Sequence, residues 1–472
     1  MAIKPPEFLN RLPSVNELLD KPPIRALYDR WNRSVVAGGV RSFLDELKND
    51  MRRRAADAQL PSLRELAERA ARYVVSRQQQ SLGTAINATG QIWGTPWSSR
   101  PLSDAALERA VAVGREFAVD STSIAMPSAG FEAAIVRRTG AQAGVAVHSY
   151  SGALWLALSA LAANREVLVA RAEVGDLGPS EPLPKLAAAA NARLREVGTT
   201  NRVAAADYEA AVSPSTAALL TLTPDEYRIV GQTASAELDG LAALARDREI
   251  TLISALGTAP LVDLPATIHW PQRSVRAALA LGVDLVILRG DGLVGGPACG
   301  ILLGNREIIA RITQHSLFAA LQLDAIRSAA LAATLECHEN SEVHVDASPV
   351  WQLLTASIEN LRNRAERIAP QLSQAPGVAS AVAIETRSPI SAALFSDGFS
   401  SYGVALTSSA GSITELDKRL RALPLPILGR IEGDRFVLDL RTVLPRQDRS
   451  LVEAIAVPSH PDVAEPQSGD SQ

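Results

Sequence analysis

Residues able to do chemistry gather at a few turns. His148-Ser149-Tyr150-Ser151 precedes a helix expected over Ser151–Ala162. Small hydroxyl residues at a helix start leave N–H groups free for an anion such as phosphate. The plainer alternative is a tight strand-to-helix turn that needs small residues. Arg289 ends an apolar run directly before Gly290-Asp291, where it either holds the same anion or fills space. His148, Ser149, Tyr150, Ser151, Arg289 and Asp291 therefore form the candidate anion pocket.

Other reactive residues point to structure. Cys337-His338 with His344 and Asp346 matches no zinc spacing, so a helix-end surface cluster is preferred and no metal is expected. Cys299, in Gly296-Pro297-Ala298-Cys299-Gly300, reads as a buried thiol opening an antiparallel strand rather than a nucleophile. No Gly-x-Ser-x-Gly elbow, P-loop or Gly-x-Gly-x-x-Gly fingerprint occurs.

The elements that must position these turns alternate. Apolar runs at Gly144–Val147, Val167–Ala170, Arg193–Val197, Ala217–Leu222, Ile250–Ile253 and Leu285–Leu288 are separated by helical patterns. The latter fall at Ser151–Ala162, Leu183–Ala190, Ala204–Ala211, Glu237–Arg246 and Ser274–Ala280. Short strands each followed by a helix build a parallel sheet covered on both faces, with ligands beyond the carboxyl ends of its strands. One helix is predicted from Trp351 to Leu372. Strands are predicted at Val378–Ala383, Val404–Thr407 and Arg435–Leu440, with a helix at Ser412–Leu423.

Residues 1–80 read as helices. Ser14 and Glu17 form a capping-box pattern, Val40, Phe43, Leu44 and Leu47 lie on one face, and Leu63, Leu66, Ala70 and Val74 repeat at helical spacing. This segment carries 15 Lys/Arg against 10 Asp/Glu, including Arg52-Arg53-Arg54. The triplet faces RNA or is a solvated helix surface. The whole chain balances 47 basic against 51 acidic residues, so wholesale polyanion binding is not implied. With 47% apolar and 21% charged residues among 472, disorder throughout is excluded. Two cysteines exclude a disulfide framework and suit a reducing compartment. No signal peptide or membrane-length apolar run is seen, so a cytoplasmic protein is expected.

Seven motifs in order identify a resemblance. They are Arg11-Leu12-Pro13-Ser14-Val15, Ile86-Asn87-Ala88-Thr89-Gly90, Glu196-Val197-Gly198-Thr199-Thr200-Asn201-Arg202, Tyr227-Arg228-Ile229-Val230-Gly231, Asp291 through Pro297, Leu425 through Ile431, and Leu438-Asp439-Leu440-Arg441. From about residue 10 to 445 the chain resembles bacterial selenocysteine synthase, the L-seryl-tRNA(Sec) selenium transferase family. The resemblance implies a pyridoxal-phosphate fold of the aspartate-aminotransferase type (fold type I), with a mostly parallel sheet. It also implies an N-terminal helical module that contacts tRNA, a homo-oligomer built from dimers, and conversion of seryl-tRNA to selenocysteinyl-tRNA with selenophosphate as donor.

The chain departs from that family where the chemistry lies. The family turn Gly-Asp-Lys-Leu-Leu-Gly-Gly-Pro supplies the Schiff-base lysine; here Gly292 stands at that place. The family Asp-Leu-Gly-Ser-Gly pairs an aspartate with the pyridinium nitrogen; here Ala255 begins Ala-Leu-Gly-Thr-Ala. The family's His-Thr-Asn-Leu-Gly-Arg aligns with Gly94-Thr95-Pro96-Trp97-Ser98-Ser99, Arg100 lying one residue on. Its basic Lys-Arg-Ala-Leu-Arg aligns with Phe318 through Gln322, and its arginine-containing glycine-rich segment with Ser123 through Ser128. Arg289 is charged where the family usually has a small residue. The lysines are at 4, 21, 48, 185 and 418, none within the turn.

Four segments are thus expected: a helical module over 1–80, a large α/β domain over 85–345, a long helix and small α+β domain over 346–458, and a disordered tail over 459–472. The function expected is that of a selenium-transferase relative whose Schiff-base chemistry is lost. The alternatives are an enzyme holding pyridoxal phosphate or another anion non-covalently, and an RNA-binding or scaffold partner of an active relative.

Overall fold

The structure, a computed structural model, describes residues 12–53, 62–78, 83–94, 99–117, 129–176, 182–225, 227–264, 268, 270–340, 348–391, 394–395, 397–409, 411–423 and 425–456. They fall into two compact units, one within 1–86 with 418–427 and the other within 87–417 with 428–472. The expected tail over 459–472 lies outside the described residues. No described helix is long and apolar enough to cross a membrane.

The first unit contains α1 (Val15–Leu19), α2 (Pro22–Arg25), α3 (Arg33–Arg53) and α4 (Leu63–Gln78). Ser14 caps α1: its Oγ accepts from Glu17 N at 3.2 Å, and Ser14 N donates to Glu17 Oε2 at 2.7 Å. Leu18, Ile24, Val36, Val40, Leu44, Leu66, Ala70 and Val74 are buried together, which is the apolar face that the 3.6-residue period requires. Gly39 lets α3 and α4 approach, since a Cβ there would lie 2.7 Å from Val74 Cγ2.

The second unit is built on a seven-stranded sheet. After the two-residue β1 (Ile86–Asn87) come β2 (Ala143–Val147), β3 (Glu166–Ala170), β4 (Arg193–Val197), β5 (Thr216–Leu222), β6 (Thr251–Gly257), β7 (Leu285–Arg289) and β8 (Gly300–Gly304). Their order is β2-β8-β7-β6-β5-β3-β4, with β8 antiparallel to both neighbours and the other pairings parallel. Side chains alternate between two buried clusters, as a period of two demands. Leu168, Leu219, Leu252, Val286 and Leu303 face one way. Val167, Leu220, Ile253, Ile287 and Leu302 face the other, under the Tyr150–Ala162 helix.

The chain then adds β9 (Val378–Ser388), β10 (Phe399–Ser408), β11 (Ile427–Leu428), whose first residue falls in the first unit, β12 (Arg430–Glu432) and β13 (Arg435–Asp439). β12, β13, β10 and β9 form an antiparallel sheet in that order.

The single helix predicted over Trp351–Leu372 is two. Pro349–Thr355 stops at Ala356, and Ser357 caps Ile358–Leu372 by accepting from Asn360 N at 3.2 Å. The break is fixed from outside the segment. Arg441 Nη1 donates to the carbonyls of Leu353, Leu354 and Ala356 at 3.2, 3.0 and 3.2 Å, satisfying helix-end acceptors that the next turn would otherwise take.

Candidate functional site

The parallel strands β3, β4, β5, β6 and β7 end on one edge of the sheet. β2 also ends there, because β8 runs antiparallel to both β2 and β7. The turns after these strands therefore converge, where ligands of such sheets bind.

Arg289 is the last residue of β7, and its Nε lies 3.1 Å from Asp225 Oδ2, with both side chains largely buried. Asp225 follows β5. Thr258, just past β6, donates to it from N at 3.2 Å and from Oγ1 at 3.0 Å. The carboxylate is seated on Gly257, where any Cβ would collide with it, and Gly257 adopts φ +57. Burial pushes the Asp225 carboxyl up, while Arg289, Thr258 and Gln272 hold it down. The Arg289 guanidinium lies 5.2 Å from the centre of the Tyr150 ring. Tyr150 opens its helix and is buried; burial and the Asp225 charge push its hydroxyl up, and that hydroxyl makes no hydrogen bond of good geometry.

A second pair stands at the following turn. Asp291 Oδ2 meets Arg100 Nη1 at 2.6 Å, both nearly buried. Trp93 Nε1 donates to Asp291 O at 3.2 Å, and Arg100 Nε to Ile92 O at 3.3 Å. Arg289 and Arg100 are thus each matched by a carboxylate.

The six residues singled out for anion binding are only partly gathered. Tyr150 and Arg289 touch, whereas Asp291 pairs with Arg100. Ser149 Oγ caps its own helix, accepting from Gly152 N at 3.0 Å, and lies 3.4 Å from Ser151 Oγ. His148 N donates to Leu321 O at 2.9 Å, and its Nδ1 is buried without a hydrogen bond. Arg289, considered for holding an anion or for filling space, is ion-paired with Asp225.

The glycines of the 290–297 turn differ in what they require. A Cβ on Gly290 would collide with Cys299 Sγ and lie 2.7 Å from Pro297 O; one on Gly295, at φ +71, would collide with Ser348. A Cβ on Gly292 would meet Thr258 Cα at 3.1 Å and Arg289 O at 3.3 Å, and no positive φ is imposed there. A Cβ at 290 or 295 thus collides outright, whereas at 292 the contacts are tight but not overlapping, and the backbone of Thr258 and Arg289 would have to give by a few tenths of an ångström. Ala255 lies inside β6, fully buried among Ile253, Ile287 and Tyr150. Among the described lysines, Lys21, Lys48 and Lys418 belong to the first unit, and Lys185 is exposed on the Leu183–Ala189 helix.

One buried acid lies further along the same edge. Glu173, in the turn after β3, accepts from Leu222 N at 2.8 Å, and burial pushes its carboxyl up to about 7. Tyr227 Oη donates to Ala172 O at 2.9 Å and braces that turn.

The remaining candidates resolve simply. His338 is buried with Nε2 2.8 Å from Val294 O, so it is a core histidine rather than part of a surface cluster. Among the described residues no group of three possible ligands could hold a metal; His344 and Asp346 lie outside them. Cys299 is buried, its thiol pushed up by burial, and it precedes the antiparallel β8. Segments 95–98 and 123–128, Arg54, and the side chains of Arg52 and Arg53 lie outside the described residues.

Asp225 was missed by sequence reasoning. Its signal is positional: Thr223-Pro224-Asp225 follows a buried strand directly, on the ligand side of the sheet. Gln272 carried no such signal.

The chain matches the family described as L-seryl-tRNA selenium transferase over residues 85–444, and selenocysteine synthase N terminal over residues 9–47. It is 34% identical to the L-seryl-tRNA(Sec) selenium transferase of Rhizobium meliloti (strain 1021), covering 92% of this chain and 95% of that one. It is 32% identical to that of Moorella thermoacetica, covering 95% and 96%. In fold it is similar to a D-glucosaminate-6-phosphate ammonia-lyase, with a TM-score of 0.58 at 18% identity over 80% of this chain and 96% of the other.

Proposed function

The chain belongs to the L-seryl-tRNA selenium transferase family, with the type I fold of pyridoxal-phosphate enzymes, and from that premise we propose that it is a member without Schiff-base chemistry. One observation carries this reading: the residue at the family's lysine position is Gly292, which has no amine, and no positive φ requires glycine there. A glycine forced by its backbone angles would say little about function. A glycine without that requirement is consistent with the loss of an amine.

Pyridoxal phosphate, which the family implies, does not fit these residues as a covalent cofactor. No lysine falls in the Gly290–Pro297 turn, and Ala255 offers no carboxylate to a pyridinium nitrogen. The chain accordingly does not convert seryl-tRNA to selenocysteinyl-tRNA. What persists is the scaffold, a basic helical module suited to tRNA, and dimer-based assembly of identical chains. Its role is then that of a tRNA-binding or regulatory member of the family, and its affinity for tRNA falls steeply with salt.

The test is to titrate the purified chain with pyridoxal phosphate, follow aldimine absorbance, reduce with borohydride and map any modified residue. No reducible adduct is expected. A stoichiometric adduct at one lysine of the cleft would restore the transferase reading. In parallel, filter binding of tRNA at 50 and 200 mM salt is expected to show the loss that phosphate contacts produce, on the order of tenfold or more. A salt-independent or absent interaction removes the tRNA role.

A further inference from the structure

The carboxyl edge of β6 is occupied by groups of the chain itself. On the reading above, positions 255 and 292 are those from which the family contacts its cofactor ring, and Asp225 follows the strand next to the first of them, where Thr223 N donates to Ala255 O at 2.9 Å. Its carboxylate rests on Gly257 and takes both Thr258 donors. Thr258 Cα in turn lies 3.1 Å from the place of a Cβ on residue 292. Arg289 reaches this carboxylate from β7, with its planar guanidinium over the Tyr150 ring.

We propose that Asp225, Arg289 and Tyr150 form an internal plug that stands where the family seats its cofactor ring, so that the cleft excludes pyridoxal phosphate as well as failing to react with it. The proposal rests on the reading above and adds a cause to it.

Three observations support the plug. A guanidinium is flat and cationic, pairs with carboxylates and stacks on aromatic rings, so it satisfies the same carboxylate and aromatic surface as a pyridinium. The seat has room for its occupant: Gly257, a glycine that the family motif also has at this place, leaves free the space that the Asp225 oxygens fill. Charge closes the argument. An incoming ring would have to displace Arg289 and strand the buried Asp225 carboxylate, which is costly. Arg289 and Arg100, the two cations of these turns, are already paired with Asp225 and Asp291.

The experiment uses the full chain and two variants, with pyridoxal 5′-phosphate as the probe. Binding is read by tryptophan quenching, and folding by circular dichroism. The unaltered chain is expected to show no saturable quenching up to about 1 mM. The opened variant Asp225→Asn/Arg289→Gly is expected to bind at least about tenfold more tightly. Adding Ala255→Asp and Gly292→Lys to that background is expected to give a borohydride-reducible adduct at position 292. A folded opened variant that binds no better than the unaltered chain overturns the plug and leaves the loss of Schiff-base chemistry standing. Saturable, non-reducible binding by the unaltered chain also overturns the plug alone, whereas a reducible adduct on it overturns both. Should the opened variant not fold, thermal melting of the unaltered chain decides. Its melting temperature is expected to be unmoved by about 1 mM probe, and a rise of about 2 °C or more overturns the plug.

Discussion

Arg289 and Asp225 pair at 3.1 Å across the end of β6, the strand that lies between their own strands β7 and β5. The bond ties three neighbouring strand ends together, and its carboxylate is buried. Removing only one partner should therefore be worse than removing both. Arg289→Met is expected to cost about 3–5 kcal/mol, and Asp225→Asn/Arg289→Met markedly less, because the first leaves a buried charge without its counter-ion. Urea unfolding of the two single variants and the double variant checks this. A double-variant cost equal to the sum of the two single costs would show that the pair is not coupled.

Arg100 and Asp291 make a prediction with an optical readout. Trp93 donates to the Asp291 carbonyl, and Arg100 donates to Ile92 O. Arg100→Ala strands the Asp291 carboxylate and releases the backbone beside Trp93. A loss of about 2–4 kcal/mol is expected, with a red shift of tryptophan emission as water reaches the indole. Unshifted emission at reduced stability would place the damage elsewhere.

The glycines of the 290–297 turn should separate cleanly. Gly290→Ala drives a methyl group against Cys299 Sγ and Pro297 O, and is expected to cost about 2 kcal/mol or more, or to abolish soluble expression. Gly292→Ala meets Thr258 Cα at 3.1 Å, where a small shift suffices, and is expected to stay within about 1 kcal/mol of the natural chain. Thermal melting of the two variants side by side is decisive. If Gly292→Ala proves as damaging as Gly290→Ala, glycine at 292 is structural and no longer marks a lost function.

Glu173 gives a pH dependence. Its carboxyl is raised by burial to about 7, above the ordinary value of 4.5. Between those values the folded chain holds a proton that the unfolded chain has released, so stability falls as pH rises through this window and levels off above about 7. The loss from this one group is about 1–3 kcal/mol. Glu173→Gln keeps an oxygen for Leu222 N and never ionises, so its stability should lack this fall and exceed that of the natural chain at pH 8. Urea unfolding of the two chains at pH 5.5, 7 and 8 compares them. Parallel pH profiles would rule out Glu173 as the source.

The sequence and the structure agree where local pattern decides. The runs of β3 and β4 were read to the residue or within one, because a short apolar strand between turn residues and a following helix leaves little freedom. The helix break at Ala356–Ser357 was not legible. Its cause is Arg441, a residue far along the chain whose guanidinium takes the carbonyls of Leu353, Leu354 and Ala356. The same holds at the site. Arg289 stood out as a charge after an apolar strand, but its partner Asp225 sits in a Thr-Pro-Asp-Glu stretch that reads as an ordinary turn. Arg100 and Asp291 are each visible alone; that they are partners follows only from the sheet edge that brings them together.

The strand order has a consequence for how the chain is made. β2 is the first strand of the large sheet to leave the ribosome, and all five of its residues end up buried. Among the described strands its neighbour in that sheet is β8, with Val147 against Gly300. About 150 further residues must be synthesised before that partner exists, an interval on the order of ten seconds at about 5–20 residues per second. Throughout that time a fully apolar strand has an open edge on both sides, the state in which nascent chains pair with one another. Holding factors at the ribosome exit, and slow elongation before residue 300, should therefore govern the yield of this protein more than the stability of the finished sheet does.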